Sequence, residues 1–114
     1  MNTENFRGKL FEIIAAKGFS NKDIYKRSNI DRKLFSKIQC SDNYHTSKNT
    51  TMALCIGLEL SLKEAEELMA MADWAFNPTS VTDLIVKCFI INKEYDINKV
   101  NMALFAHHEE TLGS

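Results

Sequence analysis

The feature that most constrains this chain is a series of helix-capping residues, each followed by apolar residues at helical spacing. A serine or aspartate precedes such a segment six times, at Ser20, Asp31, Ser47, Ser61, Ser80 and Asp96. These side chains accept hydrogen bonds from the free N–H groups of a first helical turn, and apolar residues three or four apart share one helix face. With an uncapped first helix, the sequence predicts an all-α fold with helices over 5–17, 20–28, 31–39, 47–60, 61–75, 80–92 and 96–106.

Four residues have expected roles at helix ends and crossings. Ser61 and Glu64 have the spacing of a capping box. Asn29, between the second and third helices, is of a type that tolerates a positive φ. Gly57 either weakens the fourth helix or lets another helix approach closely.

A break at residues 77–79, Asn-Pro-Thr, divides the chain. Residues 1–76 are predicted to form a five-helix bundle, and residues 77–114 a two-helix extension that packs on it in one compact domain. The length of 114 residues is enough to bury one core. The tail after His107 is expected to fray, as chain ends often do.

Composition places the chain among globular proteins. Hydrophobic residues make up 45% and charged residues 25%, a mixture that opposes disorder. No apolar run approaches the ~20 residues of a membrane span, and residues 1–6 lack a signal-peptide pattern. Cys40, Cys55 and Cys88 do not form a disulfide framework, and free thiols suit a reducing compartment. We therefore expect a cytoplasmic protein.

Charge is distributed unevenly along the chain. Residues 1–50 carry ten Lys/Arg and five Asp/Glu, whereas residues 51–114 carry four and ten, so the halves have net charges of +5 and −6. The first half would attract an anionic partner and leave the second half to face something else. Ordinary variation in surface charge is the alternative.

The third predicted helix has the pattern of a DNA-reading helix. Phe35 and Ile38 share its apolar face, which leaves four side chains facing outward: Arg32, Lys33, Ser36 and Lys37. Arg and Lys donate to guanine O6 and N7, and Ser hydrogen-bonds base edges or phosphate. Four further cations are candidate phosphate contacts: Lys22, Lys26, Arg27 and Lys48. The alternative is that all of these residues form the solvated face of an amphipathic bundle.

The segments 19–25, 29–38, 47–50, 52–60 and 62–68 carry a family resemblance. Through them, residues 5–76 resemble the lambda-repressor-like (XRE-type) helix-turn-helix domain. The resemblance implies that the second helix braces the third, which enters the DNA major groove with the four outward residues named above. It also implies a phosphate contact at Asn21, where the family often has Gln. Tyr25 and Asn29 stand where the family usually has Ala and Gly.

A narrower resemblance covers the segments 30–38, 47–50, 83–86, 95–97 and 101–105. They are similar to a bacterial module found in the C-terminal region of some macro-domain (ADP-ribose-binding) proteins. The 114 residues leave no room for a macro domain, so no ADP-ribose chemistry is implied. The resemblance implies an accessory or interaction module, encoded by a bacterium or a phage.

No pattern of a catalytic, cofactor or metal site stands out. Cys40, His45, His107 and His108 lack the short paired spacings of zinc ligands. There is no Gly-rich phosphate loop and no nucleophile-elbow motif. We therefore expect no enzymatic activity, no metal, no cofactor and no small-molecule substrate.

The extension has apolar residues on more than one face. The face predicted to pack on the bundle consists of Val81, Leu84, Ile85, Cys88 and Phe89. Five others are candidates for an interface with a second copy of the chain or another protein: Val86, Ile90, Ile91, Met102 and Phe105. The alternative is that the two helices cap the bundle and bury each other.

Two functions remain open from the sequence. A DNA-binding transcriptional regulator is favoured by the basic third helix. A protein-interaction module, such as an adaptor or a mobile-element inhibitor of a nucleic-acid-handling protein, is favoured by Tyr25 and the acidic second half. A continuous positive surface over the second and third helices would favour DNA, and interruption by Asp23, Asp31 and Asp42 would oppose it.

Overall fold

The computed structural model describes residues 3–41 and 44–113, which form seven helices and contain no strand. The helices are α1 (Thr3–Lys17), α2 (Asn21–Arg27), α3 (Arg32–Cys40), α4 (Lys48–Gly57), α5 (Leu62–Met71), α6 (Val81–Ile91) and α7 (Ile97–Ala106). The all-α prediction is therefore confirmed. None of these helices is both long and apolar enough to cross a membrane.

All six predicted caps are present at the starts of α2 to α7. Each cap residue has an extended backbone, and its side chain accepts from an N–H group in the first turn. The predicted capping box is complete, because Glu64 N–H donates to Ser61 Oγ at 3.2 Å and Ser61 N–H donates to Glu64 Oε1 at 2.9 Å. Helix starts were predictable because this chemistry is local.

Two helices end three or four residues earlier than predicted. The fourth stops at Gly57 rather than at residue 60, and the fifth at Met71 rather than at residue 75. Glu59 and Asp73 adopt left-handed φ angles of 55° and 65°, and N–H groups after each helix bond back to its last carbonyls. Such a termination satisfies the free helical carbonyls without a glycine. Glu59 therefore lies beyond α4 and is exposed.

The fourth helix is the centre of the core. Every residue from Thr50 to Gly57 is buried, and α4 packs against α2, α5 and α7. A Cβ atom added at Gly57 would lie 2.0 Å from Oγ of Ser28, the C-cap residue of α2. The close approach expected at this glycine is confirmed.

The prediction of which α6 face packs inward is wrong for Val81, Leu84 and Cys88, whereas Ile85 and Phe89 are half-buried against the core. The inner face is Asp83, Val86 and Ile90, all buried, whereas Leu84 is 49% exposed and Val81 44% exposed. The buried carboxylate of Asp83 bonds Lys48 and a backbone N–H group, so a polar residue lies on the inner face. A pattern based on apolar residues alone selects the wrong face when a charged group is buried with its partner.

The expectation of a frayed tail is also wrong for residues 109–113. Leu112 is fully buried although it lies beyond α7. Side chains of Asn29, Asn49 and Asn101 hydrogen-bond the backbone of residues 111–113. The tail is held by polar contacts to distant parts of the chain, which no local pattern reveals.

Candidate nucleic-acid interface

The second and third helices form a close pair joined by residues 28–31. Asn29 has a φ of 55°, and the N–H group of Ile30 donates to the carbonyl of Tyr25 at 3.0 Å. The half-buried Tyr25 ring lies with its centre 6.2 Å from that of the buried Phe35 ring. Packing between these two rings thus accommodates a bulky side chain where α2 crosses α3.

The outer face of α3 matches the sequence expectation. Phe35 and Ile38 are each 2% exposed. The four predicted base-facing residues are all exposed: Arg32, Lys33, Ser36 and Lys37. The ammonium of Lys37 lies 5.7 Å from the centre of the Tyr44 ring, within the range of a cation–π contact.

An open cleft of about 370 Å³ lies between α2 and α3. Its polar lining brings together residues from both helices: Asn21, Lys22, Arg32, Ser36 and Gln39, with Tyr25 and Phe35 as the aromatic part. Gln39 Nε2 donates to Asn21 Oδ1 at 3.3 Å. Two predicted phosphate contacts and two predicted base contacts therefore share one surface.

The sequence interpretation did not include Gln39 in this site. Its position relative to Arg32 and Ser36 is i+7 and i+3, which places all three on one helix face. This helical spacing would have been sufficient to assign Gln39 to the site from the sequence. Its amide could hydrogen-bond a base edge or a phosphate as readily as the other polar residues of the cleft.

Two of the predicted phosphate contacts do not line the cleft between α2 and α3. Lys26 and Arg27 line a second cleft of about 400 Å³, together with residues 95–98 at the start of α7. Arg27 donates to the carbonyl of Gly57 at 3.0 Å, forms an ion pair with Glu59 and lies over the Phe19 ring. Its guanidinium is therefore already engaged within the chain.

Lys48 is also engaged within the chain. Its Nζ atom lies 2.6 Å from Oδ2 of Asp83, whose side chain is only 2% exposed. The same oxygen accepts the N–H group of Asn77 at 2.6 Å. Removal of the ammonium would leave a buried carboxylate without its counter-charge, which is unfavourable in a low-dielectric interior.

Charge on the α2–α3 pair is positive overall, but the pair also carries two of the three carboxylates whose presence opposes DNA binding, Asp23 and Asp31, both exposed. Residues 21–40 contain six Lys/Arg and two Asp, a net charge of +4. Asp31 accepts the N–H group of Leu34 at 2.6 Å, and Asp23 lies in the first turn of α2, so both carboxylates adjoin helix N-termini. The third acidic residue of the prediction, Asp42, lies outside the described residues.

The five predicted interface residues of the extension separate into two groups. Val86 and Ile90 are buried in the core of their own chain, so their assignment to an outer face is corrected. Ile91, Met102 and Phe105 are exposed by 59%, 72% and 76%. Val86 and Ile90 share the inner face of α6 with Asp83, whose carboxylate bonds Lys48 of α4.

Reactive groups are sparse in the described residues. They contain no group of three or more His, Cys, Asp or Glu side chains placed to hold a metal ion. Cys40 and Cys88 are exposed thiols, while burial raises the pKa of the Cys55 thiol to about 12. Cys55 is accordingly protonated at neutral pH and behaves as a small apolar side chain.

Comparison with protein-family models, with curated proteins and with solved structures found no match to this chain.

Proposed function

We propose that this chain is a non-catalytic, cytoplasmic DNA-binding regulator that uses a lambda-repressor-like helix-turn-helix formed by α2 and α3. The observation that carries the proposal is the cleft where Asn21 and Lys22 of α2 meet Arg32 and Ser36 of α3. Exposed donors on two crossing helices suit DNA, because one helix contacts phosphates while the other reads bases in the major groove.

The proposed interface is smaller than the sequence predicted. Arg32, Lys33, Ser36 and Lys37 are the base-facing residues, and Asn21 and Lys22 are the phosphate contacts, whereas Lys26 lines the second cleft. Arg27 and Lys48 are left out, because each already binds a carboxylate of its own chain. A phosphate contact by either residue would first require breaking that ion pair.

The test is the affinity for a mixed-sequence 20-base-pair duplex, measured by fluorescence anisotropy at low salt. Reversing Arg32 and Lys33 to Glu should weaken binding by roughly 30-fold or more, since each lost contact is worth about 1–3 kcal/mol. Lys22→Ala should weaken binding several-fold and lower the slope of log affinity against log salt by about 1.

The matched control combines Lys63→Glu with Lys99→Glu. Both lysines are exposed, one on α5 and the other on α7. The control makes the same change in net charge away from the α2–α3 pair. Equal losses of affinity in the two double variants would show that only net charge matters and that α3 is not the reader. Circular dichroism of both variants checks that helicity is unchanged.

The alternative function is a protein-interaction module that keeps the fold without binding DNA. It is favoured by the exposed Met102 and Phe105 on α7 and by Ile91 on α6, because large apolar side chains on a surface often mark a contact with another protein. Light scattering at micromolar concentration tests a homodimer. If a dimer forms, the double variant Met102→Ser, Phe105→Ser should be a monomer. If the wild-type chain is a monomer, a homodimer through these residues is excluded.

A further inference from the structure

The segment 109–113 lies in a groove whose polar walls are three asparagines, Asn29, Asn49 and Asn101, here termed the asparagine groove. These residues come from the α2–α3 turn, from α4 and from α7. Leu112 is fully buried between these elements. The segment therefore joins three parts of the molecule that are far apart in sequence.

Two of the asparagines each form two hydrogen bonds with the backbone of the segment, one from the carboxamide nitrogen and one to the carboxamide oxygen. Asn101 donates to the carbonyl of Leu112 at 3.0 Å and accepts the N–H of the same residue at 2.8 Å. Asn49 donates to the carbonyl of Thr111 at 2.9 Å and accepts the N–H of Gly113 at 2.9 Å. The two amides thus bind four consecutive polar groups of the backbone around Leu112, at which the chain bends.

The groove also selects side chains at two positions. Leu112 fills an enclosed apolar space, where a polar or much smaller side chain would be unfavourable. Gly113 has a φ of +80°, and a Cβ atom there would lie 2.1 Å from the carbonyl oxygen of Asn29. Only glycine fits at this position without displacing the α2–α3 turn.

The third asparagine connects the segment to the α2–α3 turn. Asn29 Nδ2 donates to the carbonyl of Leu112 at 3.0 Å. Its own backbone has a left-handed φ of 55°, which an L-residue adopts at a cost. A glycine would avoid that cost but could not make the side-chain bond. Asn29 is therefore strained locally and is hydrogen-bonded to the segment 109–113.

We propose that the asparagine groove is a peptide-binding site for a bent segment that contains consecutive Leu and Gly residues. Residues 109–113 fill it in cis as a latch that holds the α2–α3 turn in place. The inference goes beyond DNA binding and does not depend on it, because the latch is defined by contacts within the chain. Because the two partners are parts of one chain, their effective concentration is in the millimolar range, and weak individual contacts suffice.

The first experiment compares amide hydrogen exchange in the wild-type chain and in the variant Gly113→Ala. The added methyl should expel the segment and speed exchange of the Leu112 amide by about tenfold or more. The Ile30 amide in the turn should also exchange faster, while the Leu68 amide in α5 should not change. The matched control is Thr111→Ala, because Thr111 is exposed and offers the groove only its carbonyl.

If Gly113→Ala speeds the Leu112 amide but leaves the Ile30 amide unchanged, the segment does not hold the turn and the latch is refuted. If neither amide changes, the asparagine groove does not select glycine and the binding-site proposal is refuted as well. Either result leaves the DNA proposal untouched, since its test uses different variants and a different readout.

The second experiment supplies the ligand in trans. A synthetic peptide of residues 109–114, added at about 1 mM to the Gly113→Ala chain, should bind saturably and slow exchange of the Ile30 amide. The same peptide with Ala in place of Gly113 should have no effect. Failure of the wild-type peptide to bind overturns the proposal. If protection from hydrogen exchange in the wild-type chain rises with protein concentration, the segment binds the groove of a second copy. That result would overturn the assignment in cis.

Discussion

The ammonium of Lys48 and the carboxylate of Asp83 form an ion pair, with 2.6 Å between Nζ and Oδ2, that ties the central helix to the extension. Asp83 is almost completely buried, and the Asn77 N–H group donates to the same oxygen. The pair thus secures both α6 and the loop before it. A lysine that the sequence presents as a DNA contact instead neutralises a charge inside the molecule.

Lys48→Met should destabilise the fold strongly, because it leaves the Asp83 carboxylate buried without a counter-charge. We expect a loss of about 3 kcal/mol in the free energy of unfolding, measured by urea denaturation. Adding Asp83→Asn to this variant should recover part of the loss, since the amide removes the charge and its oxygen can still accept from Asn77. Equal stability of Lys48→Met and the wild type would contradict this role of the pair.

Two glycines should respond to alanine with opposite signs. Gly57→Ala brings a Cβ atom to 2.0 Å from Oγ of Ser28, and overpacking of this kind should lower stability by about 2 kcal/mol. Gly8→Ala, in the exposed part of α1 with nothing within 4 Å of the new Cβ atom, should raise it by up to about 1 kcal/mol. Thermal unfolding measures both changes.

The clash at Gly57 has its own control. The Ser28 hydroxyl is buried and has no hydrogen-bond partner in the described residues, so Ser28→Ala alone should be nearly neutral. Combined with Gly57→Ala, it removes the nearest atom and should restore part of the lost stability. No recovery in the double variant would place the clash with the α2 backbone instead.

Lys93→Gly should stabilise the protein. Lys93 follows α6 with a φ of 56° and is exposed. Since an L-residue in this conformation costs roughly 1–2 kcal/mol relative to glycine, we expect a gain of about 1 kcal/mol, measured by thermal unfolding. Lys93→Ala keeps the Cβ atom and serves as the control, so an equal gain in both variants would attribute the effect to the lost charge.

The capping box at α5 predicts a pH-dependent contribution to stability. The Ser61 N–H bond to the Glu64 carboxylate, aided by Lys17, holds the pKa of that carboxyl below its usual 4.5. A pKa lowered on folding stabilises the protein above the unfolded value, and this stabilisation disappears as pH falls through the folded value. Glu64→Gln should therefore lower the Tm by about 2 °C at pH 7, and this difference should shrink as the pH falls below 4.5.

Exposure of the Glu64 side chain keeps this effect small. Glu66→Gln on the same helix is the control, because Glu66 is exposed and does not take part in the capping box. A Tm difference for Glu64→Gln that stays unchanged as the pH falls well below 4.5 would exclude the carboxylate charge as its cause.

Much of the secondary structure was predictable because its causes are local. Each cap bonds an N–H group two or three residues away, as Ser47 does with Thr50, so the starts of six helices follow from short sequence patterns. The outer face of α3 was predictable for a similar reason, since Phe35 and Ile38 place the four polar residues on the opposite side.

The candidate site was predicted only in part. Exposure of Arg32 and Lys33 follows from helical spacing, but the engagement of Arg27 with Glu59 depends on a left-handed residue that ends α4 early. The termination at Glu59 carries no sequence mark, because Glu59 is neither a glycine nor an asparagine.

The sequence by itself determined where the chain is helical, where most helices begin, and which side chains α3 presents to the outside. Only the tertiary structure decided that α6 turns Asp83 inward and that residues 109–113 are docked. Lys48 and Asp83 are 35 residues apart, and Asn49 and Gly113 are 64 apart. Hydrogen bonds within one helical turn depend on neighbours that the chain always supplies, whereas these contacts form only when packing brings distant polar groups together in a site shielded from water.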